Sequence, residues 1–234
     1  MYDRYAIFAR ADDLSESMGV EVGQNYQPTY NAAPTQILPV ITNKHPKECS
    51  FFQWGLMSKW SNSKSSIGAK SINLSAETAF QKTIYKRQIQ SHRCIVPISG
   101  FYVWKKVSKK LRVPYYFSST DTPILGIAGV WEEFEDMDGM LSLSFMIMTV
   151  PSPDALLEFE SQMPAIFSPN ECHSWLKNDD LIEHQKLVLS MTQNHPSLNA
   201  HSVSPAISNV QYDYPELINA IPASDQLGNY TLFT

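Results

Sequence analysis

Few residues in this 234-residue chain have the types and spacing that catalysis or metal binding requires. The three cysteines, Cys49, Cys94 and Cys172, are odd in number and show no C-x-x-C spacing, which argues against a disulfide framework and a zinc site. No nucleophile lies near a base in a hydrolase-like pattern, and no glycine-rich phosphate loop is present. We expect reduced thiols packed as small hydrophobic side chains, with neither metal nor cofactor. The six histidines are scattered: His45, His92, His173, His184, His195 and His201.

One position within an otherwise regular strand pattern is unusual. The stretch SHRCIVPISGFYVWKK, residues 91–106, is typical of a buried strand that ends in an aromatic run. Val103 lies there between Tyr102 and Trp104, where we expect a polar residue. Valine cannot transfer a proton, so this position has no acid–base chemistry.

The elements that must position these residues are mostly strands. β-Branched and aromatic residues between turn signals predict strands at 51–57, 93–104, 113–118, 124–134 and 143–150. Residues 75–90 predict one amphipathic helix, with Ser75 as N-cap and a face of Phe80, Ile84 and Gln88 beside a basic side. Ser-Pro signals predict short helices within 152–162 and 168–178. The fold class is therefore α+β with a mainly antiparallel sheet.

The charges are unevenly distributed along the chain. Between Lys59 and Arg112, twelve Lys or Arg residues face one acid, Glu77, so this segment carries +11 and the rest of the chain carries −16. Clustered cations are typical of a polyanion-binding face, although a solvated helix side and a lysine-rich hairpin tip would give the same pattern. Charge alone leaves both interpretations open.

Composition also bears on domain organisation and location. No apolar run approaches the roughly 20 residues needed to cross a bilayer, and the first ten residues, MYDRYAIFAR, carry charges where a signal peptide is apolar. We expect a cytoplasmic protein that is not in a membrane, associated with the nucleoid if it binds DNA. No repeat or flexible linker marks a boundary, so we expect a single domain over residues 1–234. The oligomeric state stays open.

A set of short motifs in fixed order resembles one known family. The motifs are NAAPTQ (31–36), WGLMSKW (54–60), INLSAET (72–78), RCIVPISGFYVW (93–104), GIAGVWE (126–132), MTV followed by QMP (162–164), and VSPAISNVQYDYPELI (203–218). Together they resemble the SOS response-associated peptidase family, the abasic-site processing proteins. The resemblance implies a barrel-like curled sheet with peripheral helices and a basic groove for single-stranded DNA. It also implies a role in the response to DNA damage.

The resemblance further implies a reactive centre. In this family a cysteine at position 2 condenses with the aldehyde of an abasic site to form a stable thiazolidine, beside an asparagine, a glutamate and a histidine. The same group is thought to excise the leader methionine or propeptide. At the matching positions this chain has Tyr2, Asn73, Val103 and Glu160, so only Asn73 agrees. Other departures from the family pattern are Asp3, Ser75 and Gln162.

These departures predict lost covalent chemistry. A tyrosine hydroxyl with an ordinary pKa of about 10 cannot replace a thiolate or close the five-membered ring. A bulky residue at position 2 should also prevent removal of Met1. The binding positions are better kept, and we expect them to contact or shape a DNA groove: Arg4, Asn31, Pro34, Trp60, Asn73, Lys82, Lys86, Thr149, Met163 and Pro164.

Each binding position also has a simpler interpretation. Trp60 could stack on a base or be an ordinary rim aromatic, and Trp54 fits the core better than the groove. Asn31 with Pro34 could be a turn, and the two helix lysines a solvated face. The carboxylates of Asp3 and Glu160 would oppose a phosphate.

Three functional hypotheses follow. In the first, the protein binds single-stranded or abasic DNA without the crosslink. In the second, the Met1 α-amine, with an ordinary pKa of about 8, forms a Schiff base and acts as an abasic-site lyase, assisted by Glu160 or Asn73. In the third, the acidic remainder of the chain recruits a protein partner and the DNA groove is vestigial.

Overall fold

The computed structural model describes residues 2–55, 72–135, 139–177, 180–225 and 227. Met1, Lys59, Trp60, Lys64 and Lys70 lie outside these residues. The strands are β1 (Tyr5–Ile7), β2 (Thr29–Ala32), β3 (Ile37–Thr42), β4 (Ser50–Trp54), β5 (Asn73–Ser75), β6 (Arg93–Ile98), β7 (Gly100–Lys106), β8 (Arg112–Ser119), β9 (Leu125–Glu135), β10 (Leu141–Pro151), β11 (Gln162–Pro164), β12 (Ile166–Phe167) and β13 (Leu198–Ser202). The helices are α1 (Ala11–Met18), α2 (Ala76–Gln81), α3 (Thr83–Ser91), α4 (Pro169–Lys177) and α5 (Leu181–Ser190).

Five strands close into a barrel in the order β10, β4, β3, β6, β9, and β9 pairs back with β10. Each neighbouring pair in this ring is antiparallel except β10 with β4. β6 is buried at all six of its residues, because one face points into the barrel and α4 packs against the strand from outside. The expected α+β class, with a mainly antiparallel, barrel-like sheet and peripheral helices, is confirmed.

A second sheet, in the order β13, β8, β7, β1, β2, continues from the barrel. The strand predicted over 93–104 is wrong as one element, because β6 and β7 belong to different sheets and Ser99 forms the corner between them. The Ser99 N–H donates to the Ala6 carbonyl at 2.7 Å, and the Ser99 Oγ accepts from the Phe8 N–H at 3.1 Å. A Cβ at Gly100 would overlap the Phe117 carbonyl, so glycine is required for this close approach.

The helix predicted over 75–90 is interrupted. Ser75 caps α2 as expected, since its Oγ accepts the Thr78 N–H, but Lys82 has an extended backbone and α3 begins after it. The interruption shifts the buried face, so Ile84 is 65% exposed while Phe80 and Ile89 are buried. The predicted face of Phe80, Ile84 and Gln88 is therefore wrong at its centre.

Only one of the two helices predicted from Ser-Pro signals is present as an α-helix. Residues 168–178 contain α4 as expected, whereas residues 152–162 contain only a 3-10 turn at Asp154–Leu156. The chain between β10 and β11 makes only this turn, and the Ser152 N–H donates to the Ser161 carbonyl at 3.0 Å before β11 pairs with the end of β10. None of the helices described is long and apolar enough to span a membrane.

Arg93 is a cation within the core rather than on the surface. It is 1% exposed, and its guanidinium donates to the Ile89 and Gln90 carbonyls at the end of α3. It also donates to the Trp175 and Leu176 carbonyls near the end of α4. One side chain therefore satisfies carbonyl groups that two helix ends leave unpaired.

Candidate functional site

Asn73 is placed at the site by β5, which runs parallel to β10 and pairs Asn73 with Ile147. The Asn73 Nδ2 donates to the Tyr2 carbonyl at 2.7 Å, and this bond fixes the orientation of the amide. The Asn73 Oδ1 is buried and has no hydrogen-bond partner among the described residues. Asn73 therefore anchors the backbone of position 2 through its Nδ2, while its Oδ1 is an acceptor that accepts no hydrogen bond from the described residues.

Tyr2 lies just before β1, and its side chain is 5% exposed. Its ring contacts Phe101 edge to face, with 5.3 Å between centroids. Burial raises the pKa of the phenol well above its ordinary value, the negative charge of Glu160 raises it further, and the nearby Ser152 hydroxyl offsets part of the rise. The hydroxyl therefore stays protonated and cannot act as a nucleophile at neutral pH.

Val103 and Glu160 complete the group. Val103 is buried in β7 opposite Tyr115, and Glu160 lies half-buried between the 3-10 turn and β11. Burial alone would raise the pKa of Glu160, but the Ser161 N–H and nearby positive charge, including Arg112, outweigh it and lower the pKa. Glu160 is therefore an anion in the site, unlike the histidine expected from the family pattern.

Two pockets meet at Tyr2. The Val103 pocket has a volume of about 410 Å³ and is lined by Tyr2, Asp3, Arg4, Val103, Trp104, Arg112, Glu160 and Ser208. The Asn73 pocket has a volume of about 370 Å³ and is lined by Tyr2, Asn73, Leu74, Ser75, Thr78, Tyr85, Thr149, Glu160 and Gln162. The structure therefore brings all four predicted reactive positions together, and Tyr2 and Glu160 form the wall between the two pockets.

The cysteines lie elsewhere. All three are free and buried, as expected, and none lines either pocket at Tyr2. Burial raises the pKa of Cys49 and of Cys172 to about 12, and it raises the pKa of Cys94 still further. These thiols are therefore protonated and shielded, and none substitutes for a thiol at position 2.

The predicted DNA-binding positions differ in how they lie relative to the two pockets. Arg4 lines the Val103 pocket, and Thr149 lines the Asn73 pocket. Lys82 is exposed at the break between α2 and α3, and Lys86 is half-buried one turn further on. Met163 and Pro164 are buried in β11 and line neither pocket, although the preceding Gln162 lines the Asn73 pocket. Trp60 lies outside the described residues.

Asn31 and Pro34 belong to the scaffold around the groove. The Asn31 side chain is buried, and its Nδ2 donates to the Asn209 and Tyr212 carbonyls at 3.0 and 2.8 Å. Asp213 joins the same two segments in the opposite direction, since its carboxylate accepts the Tyr30 and Asn31 N–H groups. Pro34 lies in the turn between β2 and β3. Trp54 is fully buried, which confirms its assignment to the core.

Several lining residues had no signal strong enough to single them out from the sequence. Arg112 was visible only as one charge of many, and Trp104 only as part of an aromatic run. Tyr85 lies on α3 between two lysines, and a break in the helix determines which way it faces. These residues come from separate elements, so only the fold brings them to one groove.

The sequence of the chain matches a known protein family over most of its length. A model of the SOS response associated peptidase (SRAP) family matches residues 1–210 of the chain. The chain belongs to this family. The SRAP match therefore includes all the residues that line the two pockets.

Similar SRAP proteins come from distant sources. The abasic site processing protein YoqW of Bacillus subtilis (strain 168) is 28% identical over 226 residues, covering 94% of this chain and 100% of the relative. The abasic site processing protein HMCES of Rattus norvegicus is 26% identical over 233 residues, covering 82% of this chain and 65% of the relative.

Solved structures share the fold of this SRAP chain. A protein from Bacteroides thetaiotaomicron superposes with a TM-score of 0.79 at 22% identity, covering 93% of this chain and 99% of the other. A protein from Bordetella bronchiseptica gives a TM-score of 0.73 at 19% identity, covering 86% and 99%. These similarities establish the architecture alone.

Proposed function

We propose that this SRAP protein binds single-stranded DNA, including strands with abasic sites, in the groove formed by the Val103 and Asn73 pockets, without forming a covalent link. The curated relatives are abasic site processing proteins, which supports an abasic strand as the ligand. The single observation that carries the proposal is the Tyr2 side chain, buried where the family has its sulfur nucleophile. The reactive residue is replaced, while the groove around it is kept.

The chemistry of the site supports the absence of a crosslink. A thiazolidine needs a sulfur and an amine on one residue, and Tyr2 supplies no sulfur. Its phenol is buried and its pKa is raised, so it does not form a nucleophilic oxygen near neutral pH. Val103 has no proton to transfer, and Glu160 is an anion rather than a neutral imidazole.

The charges around the groove support a strand that passes on both sides of Tyr2. Arg4 and Arg112 line the Val103 pocket, where Trp104 supplies a surface for base stacking. Tyr85 lines the Asn73 pocket, and Lys82 and Lys86 lie three residues before it and one residue after it in the chain. These cations would hold phosphates at the ends of the groove.

Carboxylates oppose this attraction at the centre of the groove. Glu160 is anionic there, whereas burial raises the pKa of Asp3, so Asp3 loses its proton less readily than an exposed aspartate. We therefore expect binding that is weaker than a fully basic groove would give and that is sensitive to salt.

Gel electrophoresis of one set of binding reactions tests the proposal. Intact and abasic single strands are incubated with the protein and run on native and on denaturing gels. We expect a salt-sensitive shift on the native gel and no retained complex after heating in denaturant. A heat-stable adduct would show that covalent chemistry survives, and the absence of any native shift at low salt would reject DNA binding.

Adding borohydride to the binding reactions distinguishes the lyase hypothesis from non-covalent binding. Reduction traps a Schiff base as a stable secondary amine, so a complex seen only after borohydride would identify an amine nucleophile. We expect none with the abasic strand. Trapping would assign lyase chemistry to the protein in place of binding alone.

A further inference from the structure

We propose that the Tyr2 side chain is a gate, closed in this structure, that swings aside to join the Val103 and Asn73 pockets and admit the hydroxyl-bearing sugar of an abasic site. The identity of the entering group rests on the proposed function, whereas the gate itself rests on packing alone. Three observations carry it.

The first observation is the position of Tyr2 as a partition. The two pockets share Tyr2 and Glu160 as lining residues and no others. The Tyr2 ring is 5% exposed, so it fills the space between the pockets rather than lying on their surface. Displacing this ring would remove the larger of the two side chains that separate the pockets, the other being Glu160.

The second observation is a group of buried polar atoms around the ring. Asn73 Oδ1 and Gln162 Oε1 are both buried without a hydrogen-bond partner among the described residues, and both residues line the Asn73 pocket together with Tyr2. The Ser152 hydroxyl is also buried and lies within reach of the Tyr2 phenol, whose pKa it lowers. Buried polar atoms are almost always paired, so two unpaired amide oxygens in one pocket require an explanation. An open gate would let water or a ligand pair with them.

The third observation is the way Tyr2 is held. The Asn73 Nδ2 bonds the carbonyl of Tyr2, which fixes the backbone and leaves the side chain outside that restraint. An edge contact with Phe101 packs the ring, and Tyr2 precedes the first strand of its sheet. The opening that we propose is a rotation of the Tyr2 side chain about χ1, with the Tyr2 backbone held in place by Asn73.

The chemistry of the unpaired atoms determines what can replace the phenol. Amide oxygens accept hydrogen bonds and do not donate them, and Asn73 Oδ1 is held in that role by the bond from its own Nδ2. The entering group must therefore donate. The ring-closed form of an abasic sugar carries a hydroxyl at C1′, whereas an ionised phosphate has only acceptor oxygens.

Cysteine labelling tests the gate without any DNA. Ser152→Cys places a thiol of nearly the same size next to the Tyr2 phenol. Ser144→Cys is the control, because Ser144 is also a buried serine, in the barrel part of β10 and away from both pockets. The two variants are made with Tyr2 present and with Tyr2→Ala. Iodoacetamide labelling is followed by mass spectrometry, which separates these sites from the buried native cysteines.

We expect Ser152→Cys to label faster than Ser144→Cys when Tyr2 is present, and about tenfold faster again with Tyr2→Ala, because local opening controls access. Ser144→Cys should label at one slow rate in both backgrounds. Equal rates for the two cysteines with Tyr2 present would mean that the ring does not open. No acceleration of Ser152→Cys by Tyr2→Ala would mean that another group covers the site. Either result overturns the gate.

Binding measurements test what enters. Strands containing a natural abasic site or a tetrahydrofuran analogue, which lacks the C1′ hydroxyl, are titrated by fluorescence anisotropy. We expect the natural site to bind about fivefold tighter, and Gln162→Met to reduce that preference, since the hydroxyl loses an acceptor. Equal binding of both strands would overturn the assignment of the sugar. If neither strand binds, the proposed function fails as well, and the labelling rates still decide the gate.

Discussion

Position 2 illustrates how one residue can lose its chemistry while its place in the structure is kept. The hydrogen bond from Asn73 reaches the main-chain carbonyl of Tyr2, so it does not depend on which side chain position 2 carries. The same is true of the pairing of Met163 and Pro164 with β10. The main-chain anchor therefore tolerates a different side chain at position 2, although a smaller one would lose the contact of the Tyr2 ring with Phe101.

Restoring the three replaced positions tests this directly. The variant Tyr2→Cys, Val103→Glu, Glu160→His, with loss of Met1 verified by mass spectrometry, should form an adduct with an abasic strand that survives heating in denaturant. It then has a thiol and a free α-amine on the same residue and regains both proton-transfer groups. The matched control carries Ser in place of Cys at position 2 and should form none. The measurement is a denaturing gel with labelled DNA. A folded triple variant that forms no adduct would contradict the view that these three positions account for the lost reaction.

His92 gives the folding stability a dependence on pH. Burial lowers the pKa of His92, and the charge of Lys44 lowers it further, although Glu133 opposes the change. Ser91 Oγ contacts the Nδ1 of His92 at 2.6 Å, and the ring of Trp131 packs against the imidazole. The folded state therefore binds fewer protons than the unfolded state at pH values just below the ordinary pKa of about 6.5.

The sign follows from this difference. The contribution of His92 is fully present above pH 6.5 and is lost as pH falls through the window below it. Urea unfolding should therefore show lower stability at pH 5.5 than at pH 7.5, and His92→Gln should reduce that difference by less than about 1 kcal/mol, since the ring is half-exposed. His173→Gln, at an exposed histidine, is the control. An unchanged pH dependence in His92→Gln would assign the effect to other groups.

At the scale of elements, the sequence predicts what depends on local pattern and fails where distant contacts decide. Ser75 as an N-cap and the α4 helix follow from local signals, and both are present. The break at Lys82 has no glycine or proline to mark it. The corner at Ser99 depends on contacts with Ala6 and Phe8, more than 90 residues away.

The candidate site shows the same division. The motif pattern identified Tyr2, Asn73, Val103 and Glu160, and the fold brings these four positions to one groove. The Ser152 hydroxyl, which lies within reach of the Tyr2 phenol, had no such signal. Its environment depends on the return from β10 to β11, where its N–H bonds the Ser161 carbonyl. Side-chain satisfaction of this kind cannot be deduced before the backbone path is known.

Arg93 links two elements, and its removal should be costly. In Arg93→Met, four carbonyl groups at the ends of α3 and α4 lose a charged donor inside the core. We expect a loss of about 3 kcal/mol or more in the free energy of unfolding, since each unpaired buried acceptor costs about 1–3 kcal/mol. Urea unfolding measures it. Arg87→Met, at an exposed position of α3, should change the free energy of unfolding by no more than about 0.5 kcal/mol.

At the scale of the whole molecule, the basic segment is less uniform than its total charge indicates. Arg93 is inside the core, and Lys105 pairs with Glu158 at 2.6 Å. Among the described residues, the segment contributes Arg112 to the lining of the Val103 pocket and Tyr85 to that of the Asn73 pocket. Lys82 and Lys86 lie three residues before and one residue after Tyr85 in the chain. The attraction for a polyanion is therefore set by a few placed cations and not by the net charge of the segment.

The salt dependence of binding separates these two explanations. If Lys86 holds one phosphate, Lys86→Gln should reduce the slope of log affinity against log salt concentration by about 0.7, the value for one contact with a single strand. Lys47→Gln removes the same charge from an exposed loop that borders neither pocket, so it should leave the slope unchanged. Anisotropy titrations from low to physiological salt give both slopes. If the two variants shift the slope equally, the net charge of the protein governs the affinity. If Lys86→Gln alone has an effect, the strand passes beside α3, as the position of Tyr85 at the Asn73 pocket predicts.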